Sequence, residues 1–224
     1  GYKPHPAQRQ IHMAANTSRW RTVCAGRRTG KSLLGGHEFT ADAMFVAHNQ
    51  NMFDKFLNRW ESWIVGPEYS DAEKEFRVLY SDLERLGVPF DKPGTYYDAN
   101  GGNMHISAFG GRFLVHAKSS KYPDTLVGEK LRRVIIAEAA KQKPSVWYKY
   151  IRPTLADYRG SALLTSTPEG MNWYYEMYMD GLDPDKPDFW SIRVPSWSNP
   201  VLFPGGREDP EIKSMAEGMS AEKF

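Results

Sequence analysis

The 224-residue chain is short of three things: it has one cysteine, no long apolar run, and no acidic side chain before position 38. The single Cys24 excludes an intrachain disulfide and fits a reducing compartment, where it reads as a small buried apolar residue. No apolar stretch approaches the ~20 residues that cross a bilayer, and the N-terminus lacks the charged-then-apolar pattern of a secretory signal. The sequence therefore predicts an intracellular protein with no membrane partner. The missing acids leave Lys3, Arg9, Arg19, Arg21, Arg27, Arg28 and Lys31 unopposed as far as His37, although the formal net charge of the chain is only +2. Part of that basic run is expected to serve a nucleotide; the remainder faces nucleic acid or is a solvated surface, and charge alone does not separate the two. What is present is ordinary for a folded domain, 41% hydrophobic and 25% charged residues, enough for one core with a small appendage. The chain opens on Gly and closes on a helix-like stretch, SAEKF, as an excised domain would.

The most informative stretch is Arg19 to Ser32, RWRTVCAGRRTGKS. A run with strand character, Trp20 to Ala25, breaks into a basic loop ending in Gly30-Lys31-Ser32. Such a loop needs backbone N–H groups to wrap a polyphosphate, a lysine to reach the outer phosphates, and a hydroxyl to ligate Mg²⁺. Gly26 to Ser32, including Arg27, Arg28 and Thr29, supplies all of these, although Ala25 stands where the consensus begins with glycine. The following Leu33 to Val46 reads as a helix despite Gly35 and Gly36, which sets the phosphates at a helix N-terminus. Upstream, Pro6 to Ala15 reads as a short helix, with Tyr2 as an aromatic face for adenine and the Gln8 amide as a donor and acceptor for its edge.

Further along, Asn49 to Arg59 is helix-compatible, Glu61 to Pro67 reads as a strand, and Ala72, Phe76, Leu79, Tyr80, Leu83 and Leu86 mark one helical face ending at Gly87. Asp91 to Gly102 reads as a loop and Asn103 to Ala117 as a hairpin about Gly110-Gly111, its His105 and His116 packing across the strands. Lys118 to Lys130 is a polar basic loop. Val134-Ile135-Ile136 is a continuous apolar run, as in a strand covered on both faces, and Glu138 follows at its carboxyl end, where parallel sheets gather their chemistry. Nucleotide hydrolases usually carry an acidic pair at this place; here the first position is Ala137. Ser145 to Tyr158 reads as an aromatic helix broken by Pro153, Ser161 to Thr167 as a strand, and Met171 to Met179 as a helix whose Trp173, Tyr174, Tyr175 and Tyr178 pack on the sheet or, as the alternative, stack on bases. Asp183 to Asp188 reads as a linker, Phe189 to Val194 as a last strand, Pro195 to Arg207 as a loop, and a polar helix is expected from Asp209.

In this order the motifs resemble a family, the ATPase domain of the large terminase subunit that packages DNA in tailed bacteriophages. The resemblance is carried by GYKPHPAQRQIH, CAGRRTGKS, WIVGPEYSDAEKEF, KSSKYPDTLVGEKLRRVIIAEAA, LLTSTPEGMNWYYEMY and SWSNPVLFPGG. It implies a P-loop NTPase fold of the ASCE type, an α/β domain with a mostly parallel sheet flanked by helices. Residues 1–182 would form the ATPase core, with 183–224 a linker and C-terminal segment completing it and the nuclease domain absent. It implies ATP and Mg²⁺ as ligands and a motor that moves double-stranded DNA into a procapsid. Portal protein, small terminase subunit and further copies in a ring would be its partners in the host cytoplasm. Residue by residue, Gln8 would bind adenine, Gly26 to Ser32 the phosphates, and Ser32 the Mg²⁺. Arg27 would stabilise γ-phosphate charge, Glu138 would be the catalytic carboxylate, and Thr165, Ser166 and Thr167 would couple hydrolysis to movement. Ala137 stands in place of the expected metal-directing Asp, so hydrolysis is expected to be impaired. Leu126-Val127-Gly128 stands where the family often shows L-R-G, leaving Lys121, Lys130, Arg132 and Arg133 as candidates for a cation acting in trans. Two other readings stay open at this level: a helicase-like nucleic-acid-dependent ATPase, and a nucleotide-binding regulatory module that does not hydrolyse.

Overall fold

In a computed structural model the described residues, 1–217, form one mixed sheet with helices on both faces. Its strands are β1 (Trp20–Ala25), β2 (Trp60–Gly66), β3 (Tyr96–Asp98), β4 (Asn103–Ala108), β5 (Phe113–Ser119), β6 (Arg133–Ala137), β7 (Ser161–Ser166) and β8 (Phe189–Val194). They lie in the order β3-β4-β5-β2-β6-β7-β1-β8. From β5 to β8 every pairing is parallel, and β3 and β4 extend the edge antiparallel. The helices are α1 (Pro6–Ala14), α2 (Lys31–His48), α3 (Tyr69–Arg85), α4 (Arg152–Thr154), α5 (Trp173–Asp180) and α6 (Pro210–Ala216). No described helix is long and apolar enough to cross a membrane. Segment 183–224 includes β8, which pairs with β1 along its whole length. The SAEKF stretch lies outside the described residues.

Strand alternation divides the core into two layers. Val23, Ile64, Ile135 and Leu163 pack under α2 and α3 with Leu34, Phe39, Phe76 and Leu79. Val65, Val134, Ile136 and Leu164 face the opposite way, against Trp147, Ile151, Trp173 and Met177. The apolar run of β6 is therefore consumed on both faces. Gly35 and Gly36 also find their reason here, since α2 and α3 cross in close contact. A Cβ on Gly36 would come within 2.5 Å of the Val78 side chain, and one on Gly35 within 2.8 Å of Glu75 Cγ.

One member of the basic N-terminal run, Arg21, is answered from inside the protein. Arg21, on β1 and fully buried, donates to Glu38 of α2 at 2.9 and 2.6 Å, and Arg133 at the start of β6 also bonds Glu38. His12 adds a third partner at 2.7 Å. Burial works against the charge of Glu38, but the two arginines and His12 outweigh it and hold the carboxyl well below the usual range. Asp42, facing Arg133 Nε at 2.8 Å but buried beside Glu38, is pushed up to about 6 by burial. Arg21 is thus neither a nucleotide ligand nor a surface charge.

Three expectations are corrected. Residues 49–59 form only a 3₁₀ turn, Gln50–Met52, and then irregular turns. Asp54 Oδ1 takes the backbone N–H groups of Phe56 and Leu57, and the Asn58 amide donates to Met52 O, so side chains compete for the bonds a helix would use. Phe56 and Leu57 stay exposed and offer no apolar face to bury. Residues 91–102 contain the edge strand β3, held where Tyr97 packs against Phe76 and Tyr80. Pro153 does not break the aromatic helix. A π-helical turn over Val146–Ile151 runs into α4, and Pro153 falls in the first turn of α4, where no N–H is needed. The hairpin histidines behave as expected: His105 and His116 pair across β4 and β5 with rings stacked 3.9 Å apart. Burial lowers them to about 4 and about 3.

Candidate active site

The site begins at the carboxyl end of β1. The chain leaves the sheet at Ala25, turns through Gly26 to Gly30, and enters α2 at Lys31. Gly26 cannot carry a side chain, because a Cβ there would collide with the backbone and hydroxyl of Ser196 just after β8. The close approach therefore falls at Gly26, which leaves Ala25 free to end the strand as part of the core. Gly30 takes φ 82° as the cap residue of α2. Its carbonyl, Thr29 and Arg28 are each tied down. Gln8 Nε2 donates to Gly30 O at 3.3 Å, His5 Nε2 to Thr29 O at 3.1 Å, and Asn199 Nδ2 to Arg28 O at 2.7 Å. Thr29 Oγ1 closes the turn onto Gly26 O at 3.0 Å. The loop is thus braced by α1 on one side and by the segment after β8 on the other.

Inside the loop, Lys31 Nζ donates to the carbonyls of Ala25 and Gly26, both at 3.1 Å. Burial lowers the affinity of Lys31 for its proton, while Glu138 and then Glu75 pull it back up. Arg27 is exposed and its charge reaches Lys31. Gln8 is buried, its Oε1 accepting from His5 N at 3.1 Å as its Nε2 meets Gly30. Tyr2 does not stand beside it. The Tyr2 ring stacks on His37 at 3.7 Å and its hydroxyl meets His12 Nε2 at 3.0 Å, on the outer side of α2, which corrects the expectation of an adenine-facing ring.

Across β7 lies the second half of the site. Glu138 follows the last residue of β6 with φ 48° and ψ 45°, a left-handed conformation rare for a side chain of this size and found where structure around a site imposes it. Among the described residues Lys141 pairs with it at 3.9 Å. Thr165 and Ser166 end β7, buried between the phosphate-loop strand and the Glu138 strand, with Thr165 paired to both Val23 and Ala137. Thr167 follows directly.

Three contacts between elements of the site lie in NWY of the motif after β7. Asn172 caps α5 by accepting from Tyr174 N and donates to Ala140 O at 3.0 Å. Trp173 Nε1 donates to Gln142 O at 2.7 Å, and Tyr174 OH to Val23 O at 2.7 Å. Gln142 in turn holds Ala137 O at 2.8 Å. One short segment therefore ties the acidic strand to the phosphate-loop strand. Trp173 and Tyr174 are buried, as packing aromatics should be, whereas Tyr175 faces solvent.

One group of the site, Glu75 on α3, was missed by sequence reasoning. It is 2% exposed, and burial raises its carboxyl to about 7 against the opposing Ser32 hydroxyl beside it. Its spacing from Ala72 and Leu79 puts it on the apolar face of α3, but only the crossing of α2 and α3 brings it to the loop.

The candidates for a cation in trans now separate. Arg133 is committed to Glu38 and Asp42, and Arg132 stacks on Tyr158 while donating to Arg59 O and Asn58 O. Lys121 and Lys130 are exposed, paired with Glu68 and Asp157. Lys121 follows the carboxyl end of β5, the same edge as the phosphate loop, whereas Lys130 precedes β6 at the other edge.

No family model matches the chain. The large terminase subunit of Thermus virus P23-45 is 32% identical over 235 residues, covering 93% of this chain. That of Escherichia phage T5 is 27% identical over 204 residues. The chain spans 44% of the length of the first and 42% of the second. Among solved structures, the large terminase ATPase domain of Thermus phage P74-26 superposes with a TM-score of 0.75 at 28% identity, covering all of this chain and 92% of that one. The large terminase of another thermophilic bacteriophage, solved in complex with ADP, shares the fold at TM-score 0.68 and 14% identity, covering 95% of this chain and 49% of that one. Over 93% of its length the chain is a relative of phage large terminase subunits, and the part it matches is their ATPase domain.

Proposed function

We propose that the domain binds ATP and hydrolyses it to drive double-stranded DNA into a viral procapsid. The observation that carries this is the placement of a braced phosphate loop and Glu138 at the carboxyl ends of β1 and β6, with β7 alone between them. In this reading the loop N–H groups and Lys31 hold the phosphates, with phosphate oxygens taking the place of the two carbonyls that Lys31 now meets. Arg27 adds positive charge where charge spreads over the transferred phosphoryl group, and Glu138 orients and deprotonates the attacking water. Gln8 reads adenine from the position in which it braces Gly30. Thr165 to Thr167, with the NWY contacts, pass a change at one strand to the other.

The donor set fits Mg²⁺. Ser32 offers a hydroxyl at the start of α2, a hard ligand suited to a hard cation, and beside it a buried carboxylate oxygen of Glu75 has no hydrogen-bond partner. When bound, the ion would supply charge neutralisation at the outer phosphates. Partners follow the family: DNA, portal protein, small terminase subunit and neighbouring copies in a ring, in the host cytoplasm at the procapsid. No DNA cleavage is expected of this part of the chain.

The test is phosphate release from ATP with and without linear double-stranded DNA, for this chain and for Ala137→Asp. Turnover that rises in Ala137→Asp supports the motor reading with a weakened acidic pair. Nucleotide binding without turnover in both proteins would favour a non-hydrolysing regulatory module.

A further inference from the structure

P-loop nucleotide hydrolases hold Mg²⁺ with an acidic residue at the end of such a strand, and the residue before Glu138 here is Ala137. Alternation along β6 sets Ala137 on the same face as Ile135, the face under α2 and α3. On that face Ile135 Cδ1 and Glu75 Cγ both approach Gly35, lying 3.5 and 2.8 Å from where its Cβ would stand. Gly35 is three residues past Ser32, so the two share one side of α2. Glu75 thus approaches, from a neighbouring helix, the same face of β6 on which residue 137 lies.

Its surroundings are those of a ligand-directing group. Glu75 is 2% exposed, it has the Ser32 hydroxyl as a hydrogen-bonding neighbour, and its Oε2 is buried without a partner. Lys74, Glu138 and Lys31 are charges that act on it. A buried carboxylate oxygen with no partner is costly to keep unless something completes it. The glycine at 35, an unfavourable residue within a helix, is the feature that admits it.

We propose that Glu75 is the positioning carboxylate of the Mg²⁺–nucleotide site, doing through Ser32 what the missing acidic residue at 137 would do. By accepting the Ser32 O–H, it turns the hydroxyl lone pairs toward the cation. This rests on the ATPase reading above and deepens it by assigning the metal-directing role to a residue of α3. Partners one step removed from a metal typically alter affinity by about 10–100-fold, so the effect is measurable without turnover.

The experiment is ADP binding by calorimetry, with Mg²⁺ and with EDTA, for the chain as it stands, Glu75→Gln, Ala137→Asp and the double variant. Glu75→Gln keeps the side-chain shape, and thermal melting checks that each variant is folded. The proposal expects Mg²⁺ to tighten ADP binding in the unaltered chain, and Glu75→Gln to lose about 10–100-fold of that tightening while its affinity in EDTA is unchanged. Ala137→Asp in the Glu75→Gln background restores the metal dependence, a rescue that a merely structural glutamate would not permit. Retention of the full Mg²⁺ effect in Glu75→Gln overturns the proposal, as does failure of Ala137→Asp to rescue a folded Glu75→Gln. Absence of ADP binding under both conditions in the unaltered chain overturns the ATPase reading, and the proposal with it.

Discussion

Glu38 is the residue on which most of the hidden charge of this domain converges. Arg21, Arg133 and His12 all meet it, and Arg21 is fully buried. Removing one member of a buried ion network leaves the others uncompensated, which costs more than the network contributes when intact. Glu38→Ala is therefore expected to lower unfolding stability by ~3–5 kcal/mol, read from urea midpoints, although Glu38 lies outside the loop itself. A loss below about 1 kcal/mol, the scale of exposed ion pairs, would mean that water reaches the arginines. This cluster was not legible in the sequence: a run of basic residues followed by a single glutamate looks the same whether the charges face solvent or each other. The phosphate loop was legible, because its chemistry depends on residues consecutive in the chain. Glu75 was not, because its meaning comes from a helix crossing that brings together residues far apart in the chain.

At the scale of elements, the crossing of α2 and α3 decides the sign of one substitution. By helix propensity Gly36→Ala would stabilise α2 by about 1 kcal/mol. The added Cβ would meet the Val78 side chain at 2.5 Å and Glu75 O at 2.9 Å, and backbone cannot give as a flexible side chain can. Overpacking of this kind costs ~1–3 kcal/mol. Gly36→Ala is thus expected to lower the thermal midpoint; a rise would show that α3 shifts freely. The strands β1, β2, β6, β7 and β8 were readable from apolar runs and their polar ends. The strand β3 and the turns at 49–59 were not, since one is held by aromatic packing from α3 and the other by side-chain bonds to backbone. The NWY segment was visible as a motif, yet its work is in three side-chain hydrogen bonds that no periodicity reports.

For the whole molecule, the sheet order separates the β1 loop from the Glu138 strand by β7 alone, and puts Lys121 on the same edge as both. In an assembled ring a cation entering a neighbour's site would come from that edge. Lys121→Glu is expected to reduce turnover of the assembled motor and leave nucleotide binding by the isolated chain unchanged, whereas Lys130→Glu at the opposite edge leaves both unchanged. Equal loss from the two would remove the geometric distinction. The proposed activity depends above all on Glu138 as the group that acts on water beside a bound nucleotide. Its most direct test is phosphate release from ATP by Glu138→Gln, compared with the unaltered chain under the same DNA and Mg²⁺ conditions. A fall of about 10²–10⁴-fold is predicted, with ADP affinity kept. Undiminished release in a variant that still binds ADP would contradict that role.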